Sequence, residues 1–142
     1  MLQSIRTGRR TALVHIYFDA ATNQTTGENG IGVWIKSSDG TVSTFKQRVL
    51  GLSSVHAELA ACAYALEKAH LMQEETSFML YSDADVVVRA LEQRFMKDDS
   101  AKPLFLKALI AYDELPTIFL KWIPRVENRA DLIAREALNG TS

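Results

Sequence analysis

The run Leu13-Val14-His15-Ile16-Tyr17-Phe18, which closes on Asp19, constrains the fold of this chain more than any other feature. It is mostly apolar, carries β-branched and aromatic residues and contains neither Pro nor Gly, so it reads as a buried central strand. Asn23 to Gly30 is a polar turn, which makes Ile31 to Lys36 the next strand. Asp39-Gly40 is a strong hairpin signal leading into a third strand from Thr41 to about Val49. Together these segments form an antiparallel meander. Beyond it the apolar period changes. Ser53 or Ser54 caps a helix running to about Gln73, whose apolar positions Val55, Leu59, Cys62, Leu66 and Ala69 step by fours and threes along one stripe. Ser77 to Ser82 is a fourth strand, followed by a helix through Val86, Val87, Ala90 and Leu91. Ala101 to Leu115 is helical with Pro103 in its first turn, Thr117 to Ile123 is a fifth strand, and Asn128 to Asn139 is a final helix ended by Gly140. A meander followed by βα units predicts an α/β fold, a five-stranded mixed sheet with helices on both faces.

At 142 residues the chain reads as one domain, 1–142, large enough for a core without staples, with residues 1–11 expected to be a flexible tail. The single Cys62 cannot form an internal disulfide and falls on an apolar helical stripe, where a buried thiol is expected. No apolar run reaches membrane-spanning length and Met1 to Arg10 lacks a secretory apolar stretch, so a cytoplasmic location with no membrane partner is the expectation. A net charge of −1 argues against a protein that holds nucleic acid through a broad positive field. Arg6, Arg9 and Arg10 form one compact basic cluster, read as part of the solvated tail.

Four acidic residues stand at the ends of expected elements: Asp19, Glu58 in His56-Ala57-Glu58-Leu59, Asp83 in Tyr81-Ser82-Asp83, and Asp131 closing Pro124 to Asp131. Glu58 is the sharpest. It lies three residues after Val55 and four before Cys62, on the apolar face of its own helix, where an uncompensated carboxylate costs several kcal/mol. Asp19 alone reads equally well as a turn residue, Asp83 as a helix cap, and Asp131 as the acidic partner of Asn128 in a capping box. Asp85 competes with Asp83 but falls in the first helical turn and is expected to point away. Loops at one end of neighbouring parallel strands share a crevice, and like charges gathered there repel unless a cation lies between them. Hard oxygen donors without a His or Cys cluster favour Mg2+ or Mn2+. Two such ions about 3.5–4 Å apart clamp the attacking and leaving oxygens of a phosphodiester.

In order, spacing and context these motifs resemble the ribonuclease H family, specifically the type 1, ribonuclease HI-like branch of short prokaryotic proteins that lack the His loop and the basic protrusion. The resemblance runs from about Leu13 to Leu138 and is most specific in Pro124 to Asp131 with the following Leu132-Ile133-Ala134-Arg135-Glu136-Ala137-Leu138. It implies a magnesium-dependent endonuclease acting on the RNA strand of RNA/DNA hybrids, with no small-molecule cofactor and with Asp19, Glu58, Asp83 and Asp131 as catalytic metal ligands. Asn23, Ser54, Arg125 and Asn128 are the implied substrate contacts. The chain departs from the family in four places. Asn23-Gln24-Thr25-Thr26-Gly27 replaces a Gly-Asn-Pro-Gly loop, and Ser54-Val55 replaces a pair of Asn residues. Ala84 follows Asp83 where a hydroxyl residue is usual, and Arg125 stands in the loop that often carries a His. These losses leave an alternative, a weak or inactive nucleic-acid-binding or accessory domain, and behind it a related exonuclease or resolvase. Oligomeric state is not legible.

Overall fold

The computed structural model describes residues 13–72 and 74–140. The expected tail with its arginine cluster, and the expected helix end at Gln73, lie outside the described residues. The chain forms β1 (Val14–Asn23), β2 (Glu28–Lys36), β3 (Val42–Leu50), α1 (Ser54–His70), β4 (Ser77–Ser82), α2 (Asp85–Gln93), α3 (Lys102–Asp113), β5 (Thr117–Trp122) and α4 (Asp131–Leu138). Single 3-10 turns at Asp99–Ala101 and Arg125–Glu127 precede α3 and α4.

The sheet order is β3-β2-β1-β4-β5, so the first strand is central as its composition requires. β1 pairs antiparallel with β2, and β2 with β3, while β1–β4 and β4–β5 are parallel. Side-chain alternation gives β1 and β2 two different faces. Val14, Ile16 and Phe18 with Ile31, Val33 and Ile35 point to one side and form the core with Leu59, Cys62, Leu66 and Ala69 of α1. Burying a side chain such as Phe18 contributes about 1.5–3 kcal/mol. On the other side β2 presents Gly30 and Gly32, and α4 lies directly on them. A Cβ on Gly32 would stand 2.5 Å from the Ala134 backbone nitrogen, and one on Gly30 would stand 2.2 Å from the Ala134 carbonyl oxygen. Glycine here is required by the closeness of helix to strand.

Two boundaries and one buried position differ from the sequence expectation. β1 does not close at Asp19. Its parallel pairing with β4 ends at Tyr17 opposite Tyr81, but its antiparallel pairing with β2 continues from Asp19 opposite Gly32 to Asn23 opposite Glu28. The turn is correspondingly short, with Asn23 Oδ1 accepting from the Thr25 and Thr26 amides. The last helix begins at Asp131 rather than Asn128, because Asn128 is extended (φ −81°, ψ 108°) and its Oδ1 accepts from the Ala130 amide. In α2 it is Val88, not Val86, that joins Val87 in the interior.

Candidate active site and metal centre

Each acidic side chain is delivered by a different element. Asp19 sits on β1 just past the point where β4 stops pairing, so its carboxylate faces the notch between the two strands. It is buried, and Oδ1 accepts from the Ala20 amide at 2.9 Å. Asp83 leaves the end of β4. The cap expected of Ser82 or Asp83 is not made: Ala84 is the N-cap residue of α2 without a side-chain cap, and Ser82 Oγ accepts from the Ala84 amide just outside the helix. Glu58 comes from the second turn of α1, which Ser53 rather than Ser54 caps. Asp19, Glu58 and Asp83 each place a carboxylate oxygen within 4.8 Å of the others.

Asp131, first residue of α4, stands beside this trio rather than inside it. It lies close enough to Asp19 for its charge to help raise that carboxyl's pKa, and its Oδ2 pairs with Arg135 at 3.0 Å. Asp85 points elsewhere, exposed and paired with Arg89 at 3.0 Å.

The electrostatics of this cluster would favour a bound cation. Burial, then repulsion from Asp19 and Asp83, pushes Glu58 from 4.5 up to about 9. Burial and the Asp83 charge raise Asp19 to about 7, and burial also raises Asp83. Glu58 Oε1 is fully buried and has no hydrogen-bond partner among the described residues. An orphaned carboxylate oxygen inside a protein loses its hydration without compensation. All donors here are hard oxygens, the set that suits Mg2+ or Mn2+.

Of the expected substrate contacts, Arg125 is exposed and close enough that its charge favours the ionised forms of Glu58 and Asp83. Ser54 is exposed one helical turn before Glu58, on the same side of α1. Asn23 lies four residues beyond Asp19 with its Oδ1 committed to the turn. Asn128 is buried, and its Nδ2 donates to the Phe18 carbonyl at 2.9 Å and to Asp83 Oδ2 at 3.3 Å. It ties the loop before α4 to the ends of β1 and β4 and helps position Asp83. The sequence signal for this was present in the Asn128 to Asp131 spacing, but it reads equally as a capping box.

The profile of the "Reverse transcriptase-like" family matches residues 17–137, a span that takes in all four acidic residues. The chain belongs to this family. A protein of Enterococcus faecalis named "Putative hydrolase EbsB" is 30% identical over 129 residues, covering 89% of this chain and 94% of its own. Among solved structures, RNase H1 from the halophilic archaeon Halobacterium salinarum NRC-1 is 26% identical with a TM-score of 0.81, covering 90% of this chain and 98% of that one. LC11-RNase H1, solved in complex with an RNA/DNA hybrid, is 25% identical with a TM-score of 0.80, covering 89% and 97%. This reverse transcriptase-like protein therefore has the type 1 ribonuclease H fold that its motifs resemble. Among its described residues no helix is long and apolar enough to cross a membrane.

Proposed function

We propose that this protein is a metal-dependent endonuclease that hydrolyses the RNA strand of RNA/DNA hybrids. One observation carries the reading. Glu58 Oε1 is buried without a partner, and Asp19, Glu58 and Asp83 crowd their carboxylates within 4.8 Å, an arrangement that a bound cation stabilises by offsetting their repulsion. Asp19, Glu58 and Asp83 would hold Mg2+ or Mn2+, and Asp131 would complete the second position of a two-ion site. Bound there, such ions supply Lewis acidity at the phosphoryl oxygens and lower the pKa of a water molecule. The protein's own part is positional and electrostatic. Arg125, exposed beside the trio, offers a fixed guanidinium to a phosphate. Asn128 holds Asp83 in place, and Ser54 presents a hydroxyl to the strand near Glu58. The solved hybrid complex of LC11-RNase H1 supports the choice of substrate.

The test is incubation of purified protein with labelled RNA/DNA hybrid, double-stranded RNA and single-stranded RNA, with magnesium, with manganese and with EDTA. Metal-dependent cleavage confined to the RNA of the hybrid is expected. A second reading, a nucleic-acid-binding or accessory domain of little activity, is favoured by a specific observation: Asn23 and Asn128 spend their side chains within the protein, and Ser54-Val55 offers a single hydroxyl to a sugar. Tight hybrid binding without cleavage under either metal would select it.

A further inference from the structure

Trp122 closes β5 beside the carboxylate site, and its side chain stays half exposed there, at 49%. Along β5 it alternates with Ile118 and Leu120, which pack against the core. Its ring therefore stands on the core side of the sheet, over the loop that carries β4 into α2. A buried Trp needs a protein acceptor for its N–H, whereas a half-exposed one can donate to water. Here the Nε1–H donates instead to the main-chain carbonyl of Asp83, at 3.2 Å. Two neighbours along the same stretch reach the same loop. The Ile123 amide donates to the Ser82 carbonyl at 2.9 Å, and Asn128 Nδ2 donates to Asp83 Oδ2 at 3.3 Å. Trp122 opposite Ser82 is the last pair of the parallel β4–β5 ladder, so these contacts extend the register of the two strands into the site.

We propose that Trp122 is a positioning residue for the carboxylate site: its indole N–H anchors the main chain of Asp83 while Asn128 anchors the carboxylate. The site's own charge creates the need for such an anchor. Asp19, Glu58 and Asp83 crowd within 4.8 Å and repel one another when ionised. Asp19 is fixed by a strand and Glu58 by a helix, but Asp83 lies in the loop between β4 and α2, so it is the member most free to swing away. The start of α2 does not hold it, because Ala84 gives that helix no side-chain cap. An aspartate has only two side-chain torsions. Holding its main chain at one end and a carboxylate oxygen at the other therefore fixes where it points. A donor set aimed in advance loses less freedom when a cation binds. An indole that only covered the strand end would gain as much from any apolar ring, and the direction of its N–H would not matter. The role of Asp83 as a metal ligand rests on the nuclease reading; the anchor on its main chain does not.

The experiment compares the wild-type protein with Trp122→Phe, which keeps an aromatic ring and loses the donor. Three quantities are read: the melting temperature in EDTA, the exchange rate of the Ala84 amide hydrogen in EDTA by NMR, and the affinity for Mg2+ and for Mn2+ by titration calorimetry. Loss of one hydrogen bond predicts roughly three- to tenfold faster exchange at Ala84 and roughly three- to tenfold weaker ion binding, with the melting temperature close to the wild type's. Unchanged exchange overturns the anchor. Ion affinity kept at the wild-type value, whether or not the melting temperature falls, overturns the positioning role and leaves a ring that only packs. The wild-type indole signal of Trp122, told from that of Trp34 with Trp34→Phe, gives a reading that does not need Trp122→Phe to fold. Its N–H should be protected in EDTA, and exchange as fast as that of a free indole overturns the anchor. A wild-type protein that binds neither ion would sink the metal-dependent reading, and the anchor would then stand or fall on the exchange rates.

Discussion

Replacing Glu58 with Gln removes a carboxyl that the metal-free fold must hold protonated at neutral pH. The carboxyl titrates at about 9 in the folded protein against 4.5 unperturbed, because it is buried and faces Asp19 and Asp83. A group whose folded pKa is raised contributes stability that is fully present below its unfolded pKa and is lost as pH rises through the folded one. For Glu58 the window therefore runs from 4.5 to about 9, and at pH 7 the folded protein has lost about 3 kcal/mol relative to pH 4.5. Sharing of protons with Asp19, itself raised to about 7, reduces what one substitution recovers. Glu58→Gln should then stabilise the metal-free protein by about 1–3 kcal/mol at pH 7, or roughly 4–12 °C in Tm for a domain of this size. At pH 4.5 the difference should vanish, since both side chains are then neutral amide or acid of the same shape. Calorimetric melts of both proteins in EDTA at pH 4.5, 7 and 9 read this directly. With magnesium at pH 7 the order should invert, because only the wild type gains from binding the ion. A variant that melts at or below the wild type in EDTA at pH 7 and above would refute the argument that these carboxylates repel.

Three further outcomes are expected. Asp83→Asn should bring hybrid cleavage below detection with the fold intact, and should raise the metal-free Tm slightly by relieving repulsion; cleavage at the wild-type rate would remove Asp83 from the site. Gly32→Ala should lower Tm by roughly 4–12 °C, for about 1–3 kcal/mol of overpacking against the α4 backbone, and an unchanged melt would show that α4 can lift from β2. Hybrid affinity should fall gently with salt but depend heavily on magnesium, given a net charge of −1; a steep salt slope with no magnesium dependence would point to a binding module working through phosphate contacts.

The elements themselves were legible because each is a local pattern. The unbroken apolar run before Asp19, the Asp39-Gly40 turn and the four-and-three stripe of α1 each need only their own residues to declare a strand, a hairpin and a helix. The same stripe exposed Glu58, since a carboxylate among Val55, Leu59 and Cys62 has no solvent to face. What those patterns do not contain is how far pairing continues. β1 runs on past Asp19 only because β2 remains alongside, and Asn128 stays outside α4 because its side chain is drawn to Phe18 and Asp83, residues 110 and 45 positions away. The Trp122 contact has the same origin. Trp122 reads in sequence as an ordinary strand residue, and only the parallel pairing of β5 with β4 brings its indole to the Asp83 carbonyl. Sequence determined which segments are strands and helices and which carboxylate could not be solvated, because those depend on neighbours along the chain. Tertiary structure alone decided which distant side chains share a space, and hence that three carboxylates meet, that Asp131 stands at their margin and that Asn128 is held inside.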